Sequence, residues 1–168
     1  YRFVDFLVDG AQQYWQILPL GPPGFGNSPY QACSSMAGNP LLISLRELVA
    51  QNLLSGEDLG GAPICPEDSV DYDVVAPLKK ALLREAARNF FRRHNHPLHP
   101  RFLEFCDRMS FWLDPFAEFA SLREKNGEVS WTEWDRREGA DPGAVREQKF
   151  IQFEFFRQWS ALKEYCNQ

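Results

Sequence analysis

The stretch from Tyr14 to Pro40, YWQILPLGPPGFGNSPYQACSSMAGNP, limits what this chain can fold into more than any other. It opens as an apolar run, Tyr14 to Leu18, whose aromatic and branched residues suit a buried strand. Pro19 ends that run, and beyond it Gly21, Gly24, Gly26 and Gly38 alternate with Pro22, Pro23, Pro29 and Pro40. No helix or sheet interior tolerates so many residues lacking a Cβ or a backbone N–H. The expected local structure is a strand that empties into a long, bent, polar loop.

Upstream, Tyr1 to Val8 reads as the middle of an amphipathic helix, with Phe3, Val4, Phe6 and Leu7 apolar. Gly10 is the expected stop, since it accepts the left-handed geometry of a helix C-terminus. Helix, short connection and strand together make one α-to-β step of a parallel sheet, so the expected class is α/β. In such folds ligands sit beyond the carboxyl ends of the strands. Ser28, Tyr30 and Gln31, braced by rigid prolines and a small-residue run, would present an aromatic ring and three hydrogen-bonding groups at low entropic cost. An ordinary loop whose polar groups serve its own backbone fits the same residues. Tyr1 is not a start methionine and already stands within a helical pattern, and both ends read as cut.

Composition narrows the function classes. With 44% hydrophobic and 24% charged residues the chain has the makeup of a soluble globular protein. A net charge of −5, with basic residues scattered among acids, points to neither nucleic acid nor an anionic membrane as partner. No run approaches the roughly 18 apolar residues of a membrane span and no signal peptide opens the chain, so the expected compartment is the cytoplasm. Cys33, Cys65, Cys106 and Cys166 lie far apart without CxxC spacing, which favours reduced thiols over a zinc site.

After the loop the pattern turns helical. Ser44 and Glu47 form an expected capping box before a stripe of Leu45, Leu48 and Val49, and that helix should end near Ser55 and Gly56. Leu59 to Tyr72, with two glycines and two prolines, reads as irregular connection. From Val74, Leu78, Leu82, Ala86 and Phe90 share one helical face, and Pro77 places the helix start near itself. The segment HNHPLHP, His94 to Pro100, ends it. Phe102, Phe105, Cys106 and Met109 predict another helix. Asp114 and Pro115 read as the cap and first position of a third, running to a stop at Asn126 and Gly127. Ser130 and Glu133 suggest a capping box around Trp131 and Trp134, which serve either as packing or as a sugar platform. A last helix is capped by Asp141, with Phe155, Trp159, Leu162 and Cys166 on one face.

Familiar catalytic motifs are missing from the sequence. His94, His96 and His99 sit in a proline-broken turn with no carboxylate or cysteine at ligand spacing, so no metal site is assigned. Neither a phosphate-binding glycine loop nor a Gly-x-Ser-x-Gly elbow occurs.

The ordered run Tyr14-Trp15-Gln16-Ile17-Leu18-Pro19-Leu20-Gly21-Pro22, then Gly24, Gly26, Ser28-Pro29-Tyr30-Gln31 and Ala37-Gly38-Asn39-Pro40-Leu41, resembles the signature of the amylomaltases. These are 4-alpha-glucanotransferases of the alpha-amylase clan. The resemblance implies a partial (β/α)8 barrel with a mainly helical insertion after the second strand. It divides the chain into barrel residues 1–40, an insertion at 41–137 and the barrel helix preceding the third strand at 138–168. It implies maltooligosaccharides and other alpha-1,4-glucans as substrates, transfer by a retaining double displacement, and no cofactor. The nucleophile, acid/base and stabilising acid lie on later strands in that family, so no catalytic residue is assigned here. Ser28 and Tyr30 are expected to contact a glucose ring, supported by Gln31. Relatives commonly carry tyrosine where this chain has Phe25 and aspartate where it has Asn27. In some of them that tyrosine forms a second glucan site with a residue matching Tyr72. Tyr72 equally suits packing over the following helix. The rival readings are a non-catalytic helical module that binds carbohydrate or another protein, and a clan relative that hydrolyses rather than transfers.

Overall fold

A computed structural model of the chain describes residues 1–61, 68–127, 129–135 and 139–168. Cys65 and the insertion boundary at Arg137 lie outside the described residues, as does the side chain of Phe25. Among the described residues six α-helices run in order: α1 (Arg2–Asp9), α2 (Leu45–Ala50), α3 (Gly56–Gly60), α4 (Tyr72–Arg92), α5 (His99–Asn126) and α6 (Pro142–Cys166). Single 3-10 turns interrupt the connections at Phe25–Asn27, Pro40–Leu42 and Trp131–Glu133.

No strand forms among the described residues, which corrects the expectation of a β-strand at Tyr14–Leu18. A helix satisfies its own backbone, whereas a strand exists only when a neighbour pairs with it. Nothing described in this chain pairs with 14–18: Tyr14 is 90% exposed and Leu18 57% exposed.

The core is built by α4, α5 and α6, with α2 packed against α4. Phe90 is its centre, fully buried and meeting the rings of Phe91, His96, His99, Phe102 and Phe150 at centroid distances of 4.4 to 5.5 Å. Each such ring contributes about 1.5–3 kcal/mol by leaving water. Phe150 to Phe155 are six successive buried residues of α6, so at this level the helix is covered on every side. α5 and α4 cover two of those sides, and the turn at Pro40–Leu42 covers a third.

Several helix boundaries differ from expectation, each for a local reason. α1 does stop at Gly10, but Gly10 has φ −83° and the left-handed residue is Ala11, at φ 52°. Ser44 precedes α2 without a side-chain cap, and the capping box forms instead at Ser55 and Asp58, which starts α3 where the preceding helix was expected to end and carries it to Gly60, past the expected start of irregular chain at Leu59. α4 begins at Tyr72, not near Pro77, because the Asp71 carboxylate accepts from the N–H groups of Asp73 and Val74. Its buried stripe is Leu83, Ala86, Ala87 and Phe90. α5 runs through Asp114 and Pro115 as one helix. Both internal prolines sit on exposed faces, where water can serve the carbonyls of Asp73 and Phe111 that lose their N–H partners. Apolar burial through Trp112, Leu113 and Ala117 carries α5 past the proline. Gly127, at φ 65°, ends it as expected. Ser130 makes no side-chain cap; its hydroxyl lies 2.9 Å from that of Thr132. Asp141 caps α6 through the Ala144 N–H at 2.7 Å, as the sequence predicts. Cys166, expected on the packed face, is exposed.

Candidate functional site

The loop from Leu20 to Asn39 is held as a ladder. At its base the Asn39 N–H donates to the Leu20 carbonyl at 2.8 Å. Higher up, the Cys33 N–H donates to the Pro22 carbonyl at 3.0 Å and the Gly24 N–H to the Gln31 carbonyl at 2.7 Å, around a single antiparallel bridge between Pro23 and Ala32. The two sides approach so closely that a Cβ on Gly24 would stand 2.6 Å from the Gln31 carbonyl oxygen. Above these rungs the chain turns at Ser28–Gln31, closed by the Gln31 N–H on the Ser28 carbonyl at 3.2 Å.

The turn presents the expected residues. Tyr30 is 75% exposed, Gln31 is exposed and Ser28 is half-buried. The Ser28 hydroxyl oxygen accepts from the Tyr30 N–H at 3.3 Å, so it stiffens the turn as well as offering a polar group. These three stand together at the loop tip. Tyr72, 42% exposed, opens α4 as its first residue. Beneath the loop lies a groove of about 410 Å³ between it and α4, α5 and α6, with Pro22, Asn27, Lys80, Phe119, Glu124 and Gln148 among its walls. Glu124 gathers Lys80 at 2.5 Å, Gln148 at 3.2 Å and Arg84. None of Ser28, Tyr30, Gln31 and Tyr72 lines this groove.

Two glutamines that the sequence reading passed over anchor this region to α6. Gln152, fully buried, accepts from the Gly38 N–H at 2.8 Å and donates to the Gly38 carbonyl at 3.0 Å. Gln158 does the same for Ser44, the residue before α2, accepting at 2.7 Å and donating at 3.3 Å. A signal for Gln152 was available: it is a lone amide within the apolar run Phe150–Phe153. Lys79 adds a third tie by donating to the Leu41 carbonyl, and burial pushes its pKa down.

The histidines serve the core. His99 meets the carbonyls of His94 and Phe90 at 3.0 and 3.1 Å through its two ring nitrogens. His96 accepts from the Leu98 N–H at 3.3 Å, and burial lowers its pKa. Among the described residues no group of three His, Cys, Asp or Glu side chains could hold a metal ion. Cys33, Cys106 and Cys166 are free, and burial pushes the Cys106 thiol up to about 11. Trp134 stacks on Phe119 at 5.5 Å, while Trp131 is 67% exposed. No described helix is long and apolar enough to cross a membrane.

The family model for glycoside hydrolase 77, 4-alpha-glucanotransferase, matches residues 1–168. The chain belongs to this family. It is 38% identical to a 4-alpha-glucanotransferase of Synechocystis, over 100% of this chain and 36% of that protein. It is likewise 38% identical to one from Thermus thermophilus, over 96% of this chain and 34% of that protein. Among solved structures it resembles an amylomaltase from Streptococcus agalactiae in complex with acarbose, with a TM-score of 0.88 and 32% identity over 99% of this chain. The match takes in 36% of that chain, so these 168 residues span about a third of the glycoside hydrolase 77 proteins they resemble.

Proposed function

We propose that this chain is part of a 4-alpha-glucanotransferase that moves alpha-1,4-glucan segments between maltooligosaccharides in the cytoplasm. The observation that carries the reading is the family match over residues 1–168. Its 4-alpha-glucanotransferase relatives and the acarbose-bound amylomaltase neighbour support it. Retaining transfer takes two carboxyls about 5 Å apart, one as nucleophile and one as acid/base. The donor is held as a covalent glycosyl-enzyme until the 4-hydroxyl of an acceptor displaces it. In this proposal those carboxyls come from the two-thirds of the parent enzyme outside this chain, and the 168 residues alone are inactive.

This piece supplies substrate contact. Tyr30 offers an exposed ring for a sugar face and a phenol for a hydroxyl, with Ser28 and Gln31 beside it on a braced turn. Phe25 and Tyr72 are proposed for an accessory glucan site, where Phe25 brings a stacking ring without a hydroxyl. Residues 1–40 and 138–168 would belong to the barrel, with residues 14–18 its second strand once neighbours pair with it. Residues 41–137 form the insertion beside the cleft.

Incubating the full-length parent with maltotriose tests the reaction: a ladder of longer oligosaccharides is expected, and glucose and maltose alone would point to hydrolysis. For the contact residues, Tyr30→Ala in that enzyme is expected to lower kcat by more than about tenfold while the melt is unchanged. Parental kinetics would remove Tyr30.

A further inference from the structure

We infer that Gln152 is a positioning residue for the saccharide-contacting turn, acting through Gly38 and the loop ladder, an inference that rests on the site proposed above. Its side-chain amide carries an acceptor and a donor in one plane, and both are used on one residue's backbone, the N–H and the C=O of Gly38. Neither a carboxylate nor a hydrocarbon of the same size can make both bonds. Gly38 can come this close only because it has no side chain: a Cβ there would stand 1.9 Å from Cδ1 of Phe155, one turn along α6 from Gln152. The Gly38 backbone is therefore locked to the most deeply buried part of the molecule.

From Gly38 the constraint passes upward through described bonds. The next residue, Asn39, closes the loop base on Leu20. The rungs Cys33 to Pro22 and Gly24 to Gln31 carry it to the turn at Ser28–Gln31. Tyr30 is highly exposed, so the loop's own backbone and the Ser28 hydroxyl fix its place, and that backbone is tied to α6 through Gly38. Gln158 makes the same pair of bonds to Ser44, which lies outside the rungs and beyond the loop. It is half-buried and also donates to Glu154 at 3.3 Å, and it provides the internal control.

The test uses the full-length parent enzyme and maltotriose. Gln152→Leu is expected to lower kcat about tenfold with KM changed less than about threefold, and Gln158→Ala to leave both within about twofold. Because Gln152 acts through the turn, adding Gln152→Leu to Tyr30→Ala is expected to cost less than about twofold more. If the two losses multiply, or if Gln158→Ala costs as much as Gln152→Leu, the inference is overturned. A slow Tyr30→Ala beside an unaffected Gln152→Leu overturns it alone; parental kinetics for Tyr30→Ala overturn the site reading and the inference with it. If Gln152→Leu does not fold, Gln152→Glu, which keeps the shape and the acceptor, carries the same comparison. In the unsubstituted enzyme the Gly38 amide is expected to exchange hydrogen as slowly as the α6 core. Exchange as fast as at exposed Gly26 would sink the proposal.

Discussion

Residues 1–18 and the segment Phe150–Phe156 are comparably rich in large apolar side chains, yet they meet opposite fates. Phe150 is fully buried and Phe153 is 3% exposed, whereas Phe6 is 68% exposed and Tyr14 90% exposed. Composition does not separate them; the availability of a partner does. α6 closes its own backbone hydrogen bonds and finds α4 and α5 within the same chain. The N-terminal segment is tied at few points: Val4 is buried, Phe3 meets Trp15 at 5.1 Å, Tyr1 meets the Tyr165 ring at 4.9 Å, and the Tyr165 hydroxyl donates to Asp5 at 2.5 Å across to α6.

The comparison breaks most forcefully at its buried end. Phe150→Ala should cost about 4 kcal/mol by emptying the centre of the core, read from chemical denaturation; a loss below about 1 kcal/mol would show that the core tolerates the cavity. Next, Arg157→Met leaves the fully buried Glu154 carboxylate without the guanidinium that now meets it at 3.0 Å, and should cost about 3 kcal/mol in the same assay. Asp141→Ala removes the acceptor for the Ala144 N–H at the start of α6 and should cost about 1 kcal/mol.

A smaller effect concerns pH. Burial, reinforced by the charges of His99 and Arg93, lowers the His96 pKa against the opposing pull of its Gln51 carbonyl contact and of Glu154. The unfolded chain therefore binds the proton more readily, so this contribution is complete above about pH 6.5 and is lost as pH falls through the lower folded-state value. His96→Gln should flatten the drop in melting temperature between pH 7 and pH 5; an unchanged slope would assign that drop to other groups. At the exposed end, Phe6→Ser should move the stability of the 168-residue chain by less than about 0.5 kcal/mol while reducing its binding of a hydrophobic dye. A large loss of stability there would erase the contrast between the two regions.

Much of the helical framework could be read from the chain itself because its signals are local. The Asp141 cap, the Gly127 stop and the break between Arg92 and His99 each depend on neighbours a few residues away. The prolines misled for the same reason. Pro77 and Pro115 look like helix starts locally, but both sit on exposed faces that leave the freed carbonyls open to solvent, while the buried face holds the helix together. The Ser28–Gln31 turn was legible because its prolines and glycines state their own geometry.

By itself the sequence determined the family, the punctuated loop, and the cap and course of the last helix, all properties of contiguous residues. Tertiary structure decided what each apolar residue touches and what holds the loop still. The bonds between Gln152 and Gly38, and between Gln158 and Ser44, join residues 114 positions apart. No local spacing encodes them; they arise only when α6 has packed and brings each amide against a backbone, at Gly38 one with no side chain to intervene. The strand expected at 14–18 failed on the same ground, since pairing is a property of two segments and only one is present among the described residues.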